Sequence, residues 1–256
     1  MPSQLMDRYI DMLKFEIKTI FRQIHVNITN DSVVDIMKSE VAYYLQLWAS
    51  ISHQNISKEF MSELLVALKS NKNFDTTYAD MLERFNVVNL QPVDEKPHIR
   101  RYWDLIHLIA HVIDELIDKR NMQKFDVLSK RIQNLTMLIS NIYYKLGCAM
   151  CVEHWFRIQG YLIQAIERLN ISRLLERDGV AVYTVNLEED DGTEHTIPKH
   201  FCLYRSFQIH NHVNNYRAYQ DDQRKGHTTA NVIQKTKQLQ LYRPIRWLDY
   251  KKLLFD

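Results

Sequence analysis

Between Gln123 and Arg177 the apolar residues keep a helical period, with a break at Gly147. Leu128, Ile132, Leu135, Leu138, Ile139 and Ile142 recur on one face of the first segment, Gln123 to Leu146. Gly147 suits the end of that helix, because glycine reaches the left-handed conformation without a side-chain clash. The next helix opens at once on Cys148-Ala149-Met150-Cys151 and runs to about Arg177. Two long amphipathic helices in succession bury their faces most readily against other helices. With only five Gly and five Pro in 256 residues, the chain lacks the turn residues that a many-stranded sheet needs. The expected fold class is all-α, with enough length for one large core or two small ones.

The rest of the chain extends that pattern. Met6, Ile10, Leu13, Ile17 and Ile20 form an amphipathic helix with Ser3 as its cap. Asn30-Asp31-Ser32 caps a second helix to about Trp48, Ser57 opens a third, and Thr76 to Phe85 reads as a fourth. Gln91 to Pro97 carries two prolines and breaks the period, so a boundary is expected there. Residues 1–95 contain no cysteine and no cluster of reactive groups, and read as a helical packing or dimerisation domain. Residues 96–256 begin with a helix from roughly His98 to Arg120. Residues 178–197 interrupt the helical run, with a turn signal at Asp190-Asp191-Gly192, and predict a small hairpin or loop insertion. Thr196 with Pro198 is expected to start a helix through His210 to Tyr219, and Trp247 to Phe255 a short closing one. No internal repeat is visible.

The formal net charge is +2 and no basic or acidic tail occurs, so nothing in the charge balance asks for nucleic acid or an anionic membrane. No run of eighteen apolar residues predicts a membrane span, and the first residues lack the apolar segment of a signal peptide. Three cysteines in a chain of this length are not a disulfide scaffold.

The CxxC carries the chemistry. At a helix start, unpaired backbone N–H groups and the positive end of the helix dipole stabilise a thiolate, the species that attacks a disulfide or a cofactor. Three readings compete. A thioredoxin-like exchanger needs a strand leading into the CxxC, whereas the preceding residues are helix-periodic. Zinc is open to Cys148, Cys151 and His154, with Cys202, His210 or His212 to close a tetrahedron, but a second compact ligand pair is missing. A flavin-linked dithiol oxidase needs flat aromatic faces, imidazoles and amides on nearby helix faces. Trp103 and His107 stand at i and i+4, and His210, Asn214 and Arg217 at i, i+4 and i+7, with Asn211 adjoining. Each set has a plainer reading: a core Trp with a satisfied buried His, and a solvated polar helix face.

Taken in order, Trp103-x-x-x-His107, Cys148-x-x-Cys151 and His210-Asn211-x-Val213-Asn214 resemble the Erv/ALR-type FAD-linked sulfhydryl oxidases. The strings CAMC with His154 and an aromatic residue after it, HNHVNNY, and Trp247-x-x-Tyr250-Lys251-Lys252-Leu253-Leu254 are similar to the branch of that family found in baculoviruses and nudiviruses. The specific motifs lie in the second half; the first half matches through helical character and length.

The resemblance implies a bundle of about five helices that binds FAD over residues 96–256. Before it would come a helical pseudo-oxidase domain without cofactor over residues 1–95, and the whole would form a homodimer. It implies that Cys148 meets the substrate thiol, that Cys151 lies against the flavin, and that oxygen is reduced to hydrogen peroxide. Trp103 and Trp247 would give flat contact, and His107, His210, Asn211 and Asn214 hydrogen bonds. Arg217, with Arg224 and Lys225, would reach the diphosphate half, and His154 would line the site. No metal is implied. Thiol-containing proteins would be the substrates, in viral assembly, within the host cytoplasm and nucleus or with the virion. The sequence departs from the family in two ways: no second, shuttle cysteine pair exists, and Lys145-Leu146-Gly147 replaces the usual proline before the CxxC. Lone Cys202 reads as a small buried side chain. The rival readings are a zinc-stabilised helical interaction module and a structural virion protein with an inert CxxC.

Overall fold

Ser3 begins the first helix as expected: its hydroxyl accepts from the Met6 N–H at 3.2 Å and α1 runs Gln4–Val26. The same hydroxyl donates to the Leu254 carbonyl at 2.8 Å, near the other end of the chain. A computed structural model describes residues 3–54, 56–71, 73–224 and 245–256. The chain divides into two compact units, residues 7–112 and residues 113–256 with 1–6. The fold is all-α, with one short pair of strands among the described residues.

In residues 7–112, the three helices that follow α1 each start on a local side-chain cap. Asn30 accepts from Val33 N–H before α2 (Asp31–Ser52), Ser57 from Phe60 N–H before α3 (Lys58–Ser70), and Asn73 from Thr76 N–H before α4 (Phe74–Arg84). Such a cap contributes about 1 kcal/mol. The apolar faces meet at Phe21, whose ring lies 6.2 Å from Phe60 and 6.0 Å from Tyr78. The Gln91–Pro97 stretch is tied back to α1. Asp11 accepts the N–H groups of Val93 and Asp94, and the nearly buried Lys18 pairs with Glu95 at 2.7 Å. Next comes α5 (Tyr102–Asp118), entered through a short 3₁₀ turn, Ile99–Arg101.

In residues 113–256, α6 (Phe125–Ser140) buries Leu128, Ile132, Leu135, Leu138 and Ile139. The expected helix to Leu146 instead tightens into a 3₁₀ turn, Asn141–Lys145. Leu146 is then extended, and Gly147 is not among the residues of positive φ. The chain therefore leaves the helix by tightening, and needs no left-handed glycine.

The longest helix, α7 (Ala149–Arg177), buries Trp155, Ile158, Leu162, Ala165, Ile166 and Leu169. At about 1.5–3 kcal/mol for each large apolar side chain, this face outweighs any single cap on the helix. At its far end Arg173 is buried over the Phe125 ring, 4.7 Å from the centroid, and Glu176 pairs with Arg120 at 2.7 Å.

The insertion holds two short strands, β1 (Tyr183–Val185) and β2 (Thr196–Pro198), paired in parallel with Tyr183 opposite Thr196. It is thus a crossover loop and not an antiparallel hairpin. Arg168 of α7 sets this course by gripping Asp190, the Thr193 carbonyl and the Thr196 hydroxyl. For the same reason Thr196–Pro198 is strand, and the next helix starts later than the sequence suggests: α8 is Phe201–Arg224. The short α9 (Trp247–Phe255) lies where the sequence predicts it.

Candidate dithiol site

Cys148 is the N-cap of α7. Its backbone is extended, at φ −128° and ψ 113°, and its sulfur accepts from the Cys151 N–H at 3.4 Å. Both cysteines are half-buried. The dithiol therefore occupies the helix end where backbone donors lack intrahelical partners and negative charge is favoured. Helical spacing separates its two members. Cys148, Val152 and Phe156 recur every four residues along one side of α7. Cys151, His154, Ile158 and Tyr161 follow at intervals of three and four along a neighbouring side. Cys148 thus lies in register with the exposed Phe156, and Cys151 with the half-buried His154, the buried Ile158 and the exposed Tyr161.

His154 connects α7 to α8: its ring centroid lies 6.2 Å from that of His212. Burial, the His212 ring and the Arg157 guanidinium hold His154 below the ordinary histidine range, so it is neutral near pH 7. Further along the same seam is a groove of about 220 Å³, lined by Ile158, Tyr161, Arg205, Gln208, Ile209 and His212.

The start of α8 is set from a distance. The buried carboxylate of Asp114, on α5, accepts the N–H groups of Cys202 and Leu203 at 2.9 and 2.8 Å. Burial raises Asp114 to about 7 against the pull of those two N–H groups. The Cys202 thiol is fully buried and pushed well up by that burial and by Asp114. It is a core side chain, as its isolation in the sequence suggested. His200, just before α8, takes a left-handed φ of 58° to turn the chain into the helix.

On α8, His210 and Asn211 are half-buried and Asn214 is exposed. The Asn211 amide donates to the Ile245 carbonyl at 3.3 Å, tying α8 to the entry of α9. Trp247 opens α9 within an aromatic cluster, with ring centroids 5.2 Å from Tyr204, 5.5 Å from Phe207 and 5.7 Å from Tyr250. Arg217 and Arg224 belong to α8, but their side chains, like Lys225, lie outside what is described.

Trp103 and His107 belong to the unit of residues 7–112. Trp103 is half-buried, and His107 is only 2% exposed, stacked on Tyr9 at 5.8 Å. The ring centroids of Trp103 and His107 are 6.1 Å apart, one helical turn apart as their spacing implies.

Within residues 113–256 the fold thus brings His154, three residues beyond Cys151, against His212 on the α7–α8 seam. Sequence reasoning proposed His212 only as a metal ligand and missed Asp114. The first had a signal in its place two residues after His210. The second had none, since Asp114 acts on backbone 88 residues away. Among the described residues no group of three or more His, Cys, Asp or Glu is arranged to hold a metal ion. Nor is any described helix long and apolar enough to cross a membrane.

The family model described as Baculovirus P33 matches residues 3–256. A protein named FAD-linked sulfhydryl oxidase, from Autographa californica nuclear polyhedrosis virus, is 23% identical over 234 residues, covering 86% of this chain and 85% of its own. A 33 kDa early protein of Orgyia pseudotsugata multicapsid polyhedrosis virus is 23% identical over 222 residues, covering 74% of each chain.

Proposed function

Because the chain belongs to the Baculovirus P33 family, we propose that it is an FAD-dependent thiol oxidase whose redox pair is Cys148 and Cys151. The observation that carries the reading is the dithiol at the N-terminus of α7, with the Cys151 N–H directed at the Cys148 sulfur. The name of the Autographa californica relative supports the same activity.

The candidate site residues fit the cofactor by their chemistry. His154, His210, Asn211 and Asn214 offer imidazole and amide groups, and Trp247 a flat indole, which are the partners that flavin and adenine rings take. Arg217 adds a fixed cation for the diphosphate, and Trp103 and His107 join the set on the family resemblance. With no glycine-rich phosphate loop, binding falls to side chains.

The chain's own chemistry is thiol–disulfide exchange. In the oxidised pair, a substrate thiolate attacks the Cys148 sulfur, the Cys148–Cys151 bond breaks, and Cys151 leaves as a thiolate. A second substrate thiolate then attacks the substrate sulfur of the mixed disulfide. The substrate leaves as a disulfide and Cys148 as a thiolate, so two electrons have passed to the pair. The helix N-terminus favours both leaving thiolates. Neutral His154, one turn beyond Cys151, offers a ring nitrogen without adding charge. FAD, when bound, supplies the acceptor through which two electrons reach oxygen to give hydrogen peroxide.

The reading extends to thiol-bearing viral proteins as substrates, in virion assembly within the host cytoplasm and nucleus. It also takes in a homodimer and an N-terminal helical domain over residues 1–95 without cofactor.

One absorption experiment tests it. The purified protein is expected to be yellow, to bleach with a dithiol and to recover in air with release of peroxide. A colourless protein that loses structure with a chelator would indicate a zinc module, and a protein that consumes no oxygen with dithiol a structural role. His210→Ala is expected to lose FAD on dialysis; unchanged occupancy counts against that residue's part.

A further inference from the structure

Just before the dithiol, the 3₁₀ turn Asn141–Lys145 places Tyr143 against two other rings. Its centroid lies 3.8 Å from that of Tyr144 and 4.7 Å from that of Phe156 on α7. Tyr144 is 75% exposed and Phe156 51% exposed. Aromatic rings are large apolar surfaces, and leaving two of them in water beside each other is unfavourable for a monomer with no use for them.

Their position gives the use. Phe156 lies two turns along α7 from Cys148, on the same side, with half-buried Val152 between them. The rings therefore stand on the side of the sulfur that takes the substrate, and not on the side of Cys151 and His154. The charged groups beside them in the chain, Lys145 and the Glu153–Arg157 pair, include both signs, so charge does not select what docks here.

We propose that Tyr143, Tyr144 and Phe156 form a docking platform for the substrate polypeptide, holding an aromatic or large apolar side chain that flanks the reacting cysteine. The inference rests on the thiol-oxidase reading and names the substrate class it accepts. In the mixed disulfide the substrate chain is bonded to Cys148, so its neighbouring residues must lie on the surface around that sulfur. Eight residues of helix advance about 12 Å, which an extended chain spans in about three to four residues. The favoured substrate therefore carries its aromatic residue three or four positions from the reacting cysteine. An unfolded or partly folded chain meets that requirement, since its apolar residues are still exposed; a folded protein with buried aromatics does not.

The test uses the full chain with bound FAD and three probes: dithiothreitol, a dithiol peptide with Phe four residues from one cysteine, and the same peptide with Ser in place of Phe. The wild-type protein is expected to favour the Phe peptide in kcat/KM by about three- to tenfold, the range of one aromatic contact. The double variant Tyr144→Ser, Phe156→Ser is expected to lose that preference through KM. It should retain dithiothreitol oxidation within about twofold and an unchanged flavin spectrum, as the exposure of both rings predicts. Tyr144→Phe alone keeps the ring and should keep the preference. A wild type without preference, or a double variant that retains it, overturns the platform. So does a change of oligomeric state without a change of preference, which would make the rings a subunit interface. Should the double variant fail to fold, the single variants Tyr144→Ser and Phe156→Ser are read in the same way. Wild type that oxidises no dithiothreitol fails the thiol-oxidase reading itself, and the platform with it.

Discussion

The helices of residues 7–112 and the two helices that carry the site begin in different ways. Asn30, Ser57 and Asn73 each cap their own helix from the position directly before it, with an oxygen that has no other task. In residues 113–256, α7 is capped by the sulfur of Cys148, and α8 by the carboxylate of Asp114, 88 residues earlier in the chain. A local cap is not universal, since α6 starts after Lys124 with no side-chain cap. At α7 the cap position holds a reactive group that caps weakly, and at α8 the capping charge is brought in from another helix. Both start points are thereby tied to the site and to tertiary structure, at some cost in local stability.

The largest expected effect breaks the comparison at α7. Cys148→Ser and Cys151→Ser each remove dithiol oxidation, by more than about 10³-fold in oxygen consumption, because no second sulfur remains to complete the exchange. Cys148→Ser should at the same time stabilise the fold by about 0.5–1 kcal/mol, read as a higher Tm, since a hydroxyl caps better than a thiol. Loss of activity with a gain in stability would mark the cysteine as held for chemistry.

Asp114 comes next. Asp114→Ala leaves two N–H groups of α8 without their charged acceptor inside the core and is expected to cost about 2–4 kcal/mol in denaturant unfolding. Its pH dependence has a definite sign. Burial raises the folded-state pKa to about 7, above the ordinary aspartate value of 3.8, so the folded protein holds this proton more tightly than the unfolded chain. The stabilisation is complete below the unfolded value and is lost as pH rises through about 7. Between pH 5 and 8 the wild type should lose about 2 kcal/mol relative to Asp114→Asn, which does not titrate. Parallel pH profiles of Tm for the two proteins would sink this account of the α8 start.

The local caps should respond less. Asn30→Ala and Asn73→Ala are each expected to cost about 1 kcal/mol in thermal unfolding and to leave thiol oxidation unchanged. Smallest is Gly147→Ala. A Cβ there meets nothing within 4 Å and the residue is not left-handed, so the change should be neutral or stabilise by about 0.4–1 kcal/mol through the unfolded chain. A loss of more than about 1 kcal/mol would show that this glycine is needed after all.

The same contrast separates what could be read directly from what could not. The starts of α1 at Ser3, α2 at Asn30 and α3 at Ser57 were legible, because their signals are local: a short polar side chain followed by residues at helical spacing; α9 at Trp247 was legible from its spacing alone, since Arg246 before it makes no side-chain cap. The CxxC at the head of α7 was legible for the same reason. The exit from α6 was not, since a 3₁₀ turn and a glycine C-cap begin from the same residues. Nor was the start of α8. Thr196 and Pro198 carry good helix-entry signals, yet Arg168 holds Thr196 in a strand and Asp114 fixes the first turn later on. Of the site, His210, Asn211, Asn214 and Trp247 were visible as residue types on helix faces, whereas the ring contact of His154 with His212 needed two helices side by side.

By itself the sequence determined the helices, the dithiol and the family, because helical period, cap chemistry and the order of motifs are carried by residues close together in the chain. Only the tertiary structure decided where α8 begins, how residues 178–197 run, and which rings gather on each side of Cys148 and Cys151. Those depend on a buried carboxylate, a gripping guanidinium and helix–helix seams, whose partners lie tens of residues apart. The CxxC is present in the sequence as two equal cysteines, and the fold makes Cys148 the N-cap of α7 and sets Cys151 in its first turn, three residues before the His154 that meets α8.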